Sequence, residues 1–311
     1  TAGANAAGTN ALAIGGESSA TQTEAIAVGR LGRASALGTI AVGSNALADS
    51  AEAIAIGTNA TATGGRSVSI GSGNVASGDG AVAIGDPNTA TGDGAIANGK
   101  DNTATGNGSV AMGNTNMVGG GGQAISTPGT AAQGAVGIGF QNTVVGQGSV
   151  AIGSTSKALA AGAIAFGDTA VANNAGDVAL GSGSNTVTAV GTPSAVLGGI
   201  TYTYAGTTPT STLSLGWAGN ERTITNVAAG RVDSASTDAI NGSQLAAAYT
   251  ALDSLSTSTS SGLSTATSGI SSLSTGLSTT NSNVGSLSTS TSSGLSTTNS
   301  RIDSLSTSTS S

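Results

Sequence analysis

Asp79 and Asp93 stand fourteen residues apart, each within Gly-Asp-Gly, and they are the first groups in this chain that could do chemistry. At that spacing they can stack along one edge of a repeat and offer carboxylate oxygens. A Ca²⁺ ion takes about six to eight oxygens, and the Gly-Gly-x-Gly-x-Asp nonapeptide pattern of calcium-binding solenoids is absent. Solvated turn residues are therefore the expectation for both. Two carboxylates also suffice for glycoside hydrolysis. Here, however, the acids are scattered over turn positions, and aromatics make up only 2% of the chain, too few to line a cleft. The glycine run 119–122 lacks the Lys-Ser/Thr that would make it a phosphate loop. With no Cys and no His, thiolate nucleophiles, disulfides and the commonest metal and base side chains are missing. The chain is expected to be no enzyme, with no catalytic, cofactor-binding or metal site.

The elements that would position such groups follow from composition and repeat. Charged residues are 7% of 311, glycines number 51, and hydrophobic residues are 37%, mostly Ala, Val, Ile and Leu. Large side chains are too few for a thick core, and apolar residues too many for a disordered linker. The net charge of −7 leaves no basic patch for nucleic acid. No run of 18 apolar residues occurs, so no helical membrane span is expected. The amino-terminal Thr1-Ala2-Gly3 is no signal peptide, which implies an export signal outside this sequence if the protein is secreted.

Five-residue strings ending in Gly recur through the first 200 residues, among them Ala25-Ile26-Ala27-Val28-Gly29, Ala53-Ile54-Ala55-Ile56-Gly57 and Ser67-Val68-Ser69-Ile70-Gly71. From Gly15 to Gly113 the closing glycines are fourteen residues apart. The next closure, Gly139, follows after 26, and the irregular turn around 123–126 lies between. The fourteen-residue spacing then runs through Gly153, Gly167 and Gly181, with Ala195-Val196-Leu197-Gly198 as a last, shifted copy. Small and β-branched residues alternate with the period of a strand, and Gly, Asn, Asp, Ser and Thr between them are turn formers. One coil of a parallel β-solenoid per repeat is the result, some fourteen coils giving a rod of about 65 Å at roughly 4.8 Å each. So narrow a coil takes Ala and Ser inside, leaving Ile26, Val28, Ile40, Val42, Ile54 and Ile56 as an outer apolar ridge. On a monomer that ridge would be a solubility liability, and closing three copies around an axis would bury it. A monomeric solenoid with Ile and Val inside is the competing arrangement.

Beyond residue 200 come Tyr202, Tyr204, a Thr/Pro segment, and Leu213-Ser214-Leu215-Gly216, which reads as one more strand string. Then follow Asn220-Glu221-Arg222-Thr223-Ile224-Thr225-Asn226-Val227-Ala228-Ala229-Gly230 and Thr237-Asp238-Ala239-Ile240-Asn241-Gly242-Ser243-Gln244-Leu245. Ser236 or Thr237 could cap a helix there, with Asp238 in its first turn.

From Leu245 on, Ser and Thr dominate, yet apolar residues fall at Leu252, Leu255, Leu263, Ile270, Leu273, Leu277, Val284, Leu287, Leu295, Ile302 and Leu305. Adding Thr259, Ala266, Thr280, Thr291 and Thr298 gives steps of three and four throughout, a heptad seam. Two four-residue stutters, at 255–259–263 and 287–291–295, turn heptads into eleven-residue repeats. The five glycines from Gly262 to Gly294 each weaken a helix by roughly 1 kcal/mol relative to Ala.

The fourteen-residue strings resemble the head repeats of YadA-like trimeric autotransporter adhesins. The 220–245 stretch resembles that family's neck, an R-x-I-T-N-V-A-A-G element before a D-A-[VI]-N-x-x-Q-L element. The resemblance covers essentially all of residues 11–311. It implies a left-handed parallel β-roll in each subunit, a homotrimer, and a neck that tapers the head onto a parallel trimeric coiled coil. The expected organisation is a head over 1–198, an irregular segment over 199–218, a neck over 219–244 and a stalk over 245–311. Arg222, Asn226, Gly230, Asp238, Asn241 and Gln244 are expected to form the structural neck motif, with Arg222 and Asp238 bonding across chains. The implied function is a non-catalytic surface fibre that binds host cells, extracellular matrix or other surfaces. The implied location is the outer membrane of a Gram-negative bacterium, with the membrane anchor outside this fragment. A polysaccharide- or ice-binding rod and a phage tailspike-like trimeric fibre are the alternatives.

Overall fold

The structure, a computed structural model, describes residues 3–119 and 132–310. The residues at 120–122 and the turn at 123–126 lie outside the described residues. The chain divides into two compact units, Thr1–Thr225 and Asn226–Ser311.

In the first unit each repeat contributes one longer and one two- or three-residue strand. Ile54–Ile56 turns at Gly57 into Thr61–Ala62, which turns again into Val68–Ile70. Successive coils pair parallel at equivalent positions: Ile54 with Val68, Ala55 with Ser69, Ile56 with Ile70. The result is two facing parallel sheets, with Ala20, Ala34, Ala48, Ala62 and Ala76 of the short strands lying against Ala27, Ala41 and Ala55 of the long ones, all without solvent exposure. Alanine is inside because two sheets joined by turns this tight leave no room for more. The closing glycine is needed twice over. Gly57 has φ +134, and a Cβ there would lie 2.2 Å from the carbonyl oxygen of Gly71 in the next coil.

The expected direction of the side chains is correct. Ala53 and Ala55 are fully buried, whereas Ile56 points outward and is 37% exposed. The competing arrangement, with the Ile and Val of the long strings inside, is therefore not the one this chain adopts. The length differs: among the described residues the short-strand sheet has 12 strands. A dozen coils at roughly 4.8 Å each give about 58 Å, not 65 Å. The string 195–198 is not a coil. Its residues form Ser194–Leu197, which pairs antiparallel with Ile200–Thr203 in a separate hairpin. The final rung instead comes from Leu213–Ser214, which pairs parallel with Val178 and Ala179 and so bears out the strand read at 213–216.

The 26-residue interval costs the roll no rung. Val110 pairs directly with Val136, and Met117 with Thr143. The core adapts at this point. Val118 and Val144 occupy interior positions held by Ala elsewhere, and the facing string carries Gly137 in place of its inner Ala. A Cβ on Gly137 would lie 2.6 Å from Cγ2 of Val118 and 3.2 Å from Cγ2 of Val144. Gly137→Ala is accordingly expected to destabilise the head by about 2 kcal/mol through overpacking. Gly137→Ala combined with Val118→Ala should recover part of that loss. Thermal melting of the three variants checks this; a G137A protein as stable as the parent would contradict the packing argument.

The second unit contains one helix, Gly242–Thr309. No helix among the described residues is long and apolar enough to cross a membrane.

Candidate interaction surfaces and the neck

The outward side chains of the long-strand sheet form two columns. One holds Leu12, Ile26, Ile40, Ile54, Val68 and Val82 in successive coils. The other holds Ile14, Val28, Val42, Ile56, Ile70 and Ile84. Both continue to the last coil, where Phe166 and Leu180 are 49% and 45% exposed, and Asn98 is a polar interruption. An apolar face along the whole roll is far larger than solitary soluble proteins leave exposed. The short-strand sheet is mixed instead: Thr61, the neighbouring Thr89 and Thr103, and Thr143 share their column with Arg33, Val75, Met117 and Lys157. Its threonines form no continuous ladder.

The helix shows the same imbalance. None of its residues is buried, and its seam is exposed from 58% at Ile302 to 74% at Leu273. Many Ser and Thr hydroxyls return a hydrogen bond to the carbonyl four residues earlier, as Thr280 does to Gly276 at 2.9 Å. Such back-bonding satisfies the hydroxyl without adding a tertiary contact.

Of the six expected neck residues, Arg222 belongs to the first unit and the others to the second. Arg222 donates to Ser184 Oγ at 3.0 Å and to the carbonyl oxygens of Leu215 and Ser182. Gly230 and Gln244 bond reciprocally, the Gly230 amide to Oε1 at 3.0 Å and Nε2 to the Gly230 carbonyl at 2.7 Å. Asn241 donates from Nδ2 to the carbonyl of Val227 at 3.1 Å. Asn226 has φ +61. A side chain on Gly230 would meet the Ala239 carbonyl oxygen at 2.2 Å, so the segment 227–230 lies directly against the chain entering the helix.

Two details differ from expectation. The N-cap is Asn241, not Ser236 or Thr237: its side chain accepts from the Gln244 amide while the Gln244 side chain accepts from the Asn241 amide, a capping box. Asp238 is not in the first turn. Its carboxylate takes a bidentate pair from Arg231, at 2.8 and 3.2 Å, and a further bond from the Arg231 amide. The guanidinium and then the amide hold the Asp238 carboxyl below its ordinary range. Arg222 and Asp238 thus find these partners within their own chain, because Ser182, Ser184 and Leu215 surround the arginine's fork and Arg231 is within reach of the aspartate.

Asp177 was missed in the sequence. It occupies an inner column otherwise held by Ala, Ser or Thr, and its side chain is excluded from solvent although it lies at the end of the roll. One oxygen accepts from the Thr212 amide at 2.8 Å, the other from the amide and Nδ2 of Asn174 at 3.1 and 2.8 Å. Desolvation pushes this carboxyl up, but the Thr186 hydroxyl, the Thr212 amide and Asn174 together outweigh it and hold it below the usual range. Asp177 thereby ties the returning chain at Thr212 to the last full coil. The folded state favours the ionised form, so its contribution is complete above the unfolded value of about 3.9 and fades as pH falls through the lower folded value. Asp177→Ala should cost about 3 kcal/mol by leaving these donors unpaired. Melting of parent and variant from pH 7 to pH 2 should show their difference shrinking only below about pH 4; a difference independent of pH would contradict this role.

Five more residues escaped the sequence reading. Asn74, Asn88, Asn102, Asn116 and Asn142 stack one per coil, all buried. Each recurs three residues after a closing glycine, which was the available signal. Asp79 and Asp93 do stack: the Asp79 amide donates to Oδ1 of Asp93 at 3.0 Å, and the Asp93 amide to Oδ1 of Asn107 at 3.1 Å, on an exposed edge.

Comparison with known proteins follows the same division of the chain. The family described as YadA head domain repeat matches residues 6–30, 34–60, 62–86, 90–116, 131–156, 145–168 and 158–184. The coiled stalk of trimeric autotransporter adhesin matches 223–306. The chain is 50% identical over 74 residues to the autotransporter adhesin BtaE of Brucella suis biovar 1 (strain 1330), across 24% of this chain and 10% of that protein. The chain thus spans about a tenth of the length of that relative. It is also similar to the C-terminal YadA-like domain of BPSL2063 from Burkholderia pseudomallei. That match has 50% identity over 37% of this chain and 52% of the other, with a TM-score of 0.28. A β-solenoid of head repeats, followed by a coiled-coil stalk, places this chain in the family of YadA-like trimeric autotransporter adhesins.

Proposed function

We propose that the chain is the head, neck and stalk of a homotrimeric, non-catalytic fibre on the surface of a Gram-negative bacterium, whose head binds host cells, extracellular matrix or other surfaces. The observation that carries this reading is the long apolar face of the roll, interrupted at Asn98, together with the exposed heptad seam of the helix. Both demand partners, and identical copies in parallel register satisfy both at once. Three heads on one stalk turn weak individual contacts into avidity. Arg222, Asn226, Gly230, Asp238, Asn241 and Gln244 are assigned to shaping the neck between head and stalk. Attachment of the fibre to the outer membrane belongs to the same proposal. The interrupted threonine column supports neither an ice-binding nor a polysaccharide-binding rod.

Two measurements test the proposal. Sedimentation equilibrium at micromolar concentration should give a trimer, and a stable monomer would refute the assembly. The purified trimer should bind at least one member of a panel of matrix proteins, glycans and epithelial cells. Binding should weaken sharply for a monomerised head, and equal binding by monomer and trimer would refute the avidity argument.

A further inference from the structure

We infer that the hairpin Ser194–Leu197/Ile200–Thr203 is a clasp that docks, in the assembled trimer, into an apolar groove on a neighbouring copy of this chain. The inference rests on the trimeric reading above and concerns a segment which the head repeat does not include.

The hairpin is inserted between the last full coil and the final rung, and among the described residues its two strands pair only with each other. It is regular: Ser194 pairs with Thr203, Leu197 with Ile200, and Gly198 and Gly199 turn it with φ +59 and +81. A two-stranded hairpin is marginal in water unless a face is covered. One face of this hairpin carries Leu197, Ile200 and Tyr202 at 61%, 59% and 47% exposure, and Val196 lies on the other face. Such residues on an isolated ribbon call for a cover.

The same unit contains the complementary surface. A cavity of about 430 Å³ is lined by Val187, Leu213, Leu215 and Trp217, with Glu221 and Arg222 among its polar lining. Trp217 is fixed at its edge by Gly183, where a Cβ would lie 2.1 Å from the indole. Val187 and Leu213 remain 68% and 60% exposed, so among the described residues nothing covers them. The paired strands hold the glycine tip roughly 13 Å from the hairpin's base, at about 3.3 Å per residue. The groove is lined by residues that flank that base in sequence on both sides. A projecting apolar element and an empty apolar recess on each copy make a heterologous contact, and around a three-fold axis such contacts close into a ring. A second copy is thus the occupant, and the contact continues the apolar face already assigned to the trimer.

The absence of cysteine allows a direct test. Leu197→Cys and Leu213→Cys are introduced singly and together, the trimer is confirmed by sedimentation, and the protein is oxidised and run on a denaturing, non-reducing gel. The double variant should give a covalently closed trimer, and each single variant only monomer. A doubly substituted chain that crosslinks only within itself, or keeps free thiols, overturns the inference, as does a covalent dimer from Leu197→Cys alone. Leu197→Asn with Ile200→Asn should lower the melting temperature of the trimer by at least about 5 °C with adhesion per intact trimer unchanged. Lost adhesion with unchanged melting would make the hairpin a receptor contact and overturn the clasp. If sedimentation finds no trimer for the parent chain, the proposed function fails along with the clasp. A trimer without the crosslink rejects the clasp alone.

Discussion

Asn102→Ala is expected to lower the melting temperature of the head by about 10 °C, which is roughly 4 kcal/mol for a unit of this size. Asn102 uses every polar atom of its side chain. Nδ2 donates to Asn98 O at 3.0 Å, to Gly113 O at 2.8 Å and to Oδ1 of Asn88 at 3.0 Å. Oδ1 accepts from the amide and Nδ2 of Asn116 at 3.0 and 2.9 Å. Alanine would keep the backbone amide's bond to Asn88 but leave the Asn116 amide and the Gly113 carbonyl inside the roll without these partners. Each such orphan costs about 1–3 kcal/mol, and a linked ladder loses more than one bond's worth. Asn102→Ser should lose less, because the ladder already ends on a serine whose hydroxyl, that of Ser156, donates to the Gly167 carbonyl as Asn102 Nδ2 does to Gly113. Asn107→Ala, on the exposed turn edge, should cost under about 1 kcal/mol. Calorimetry on the three variants decides the matter, and similar losses for Asn102→Ala and Asn107→Ala would show that the ladder has no special weight.

The ladder also marks where reading the sequence stops. The fourteen-residue period, the inward alanines and the outward isoleucines were all legible, because a period-two pattern of small and branched residues allows only one packing in so thin a coil. Asn74 to Asn142 carried the same periodicity, yet residue type alone assigned them to turns. Asparagine favours both exposed turns and inner corners, and only the backbone path tells which side of the chain it faces. The hairpin was misread for a related reason. Ala195-Val196-Leu197-Gly198 matches a coil string locally, but the Gly198-Gly199 pair followed by Ile200-Thr201-Tyr202-Thr203 is the stronger signal, a two-residue loop between alternating strands. At the helix start Asp238 looked like a first-turn charge. Arg231 claims it instead, and Asn241-x-x-Gln244 was the capping box in plain view.

An isolated peptide of residues 245–311 is expected to be mostly disordered in water, and the same segment preceded by residues 199–244 mostly helical. Intrinsic propensity opposes this helix. Ser and Thr compete for backbone bonds, and each of its five glycines between Gly262 and Gly294 costs roughly 1 kcal/mol relative to Ala. Nothing within one chain offsets that, since no residue of Gly242–Thr309 is buried. Association must supply the stabilisation through thin Leu, Ile and Val layers. The layers at Thr259, Thr280, Thr291 and Thr298 contribute little apolar area, and Thr280 and Thr298 spend their hydroxyls on their own helix. Nucleation is the steepest step, because the first turn fixes several residues for one hydrogen bond and three chains must first meet. The neck lowers that barrier in two ways. Asn241 and Gln244 satisfy the orphan amides of the first turn, and Gln244 is held from both sides by Gly230. Three necks joined in one assembly also bring three helix starts together in register. Gln244→Ala in the longer chain should therefore delay helix formation on cooling, while a foreign trimerising domain fused to 245–311 should restore helicity without the neck. Circular dichroism on the free peptide, the neck-bearing chain and the fusion separates these contributions. Strong helicity in the free peptide would show that the stalk folds without its neck.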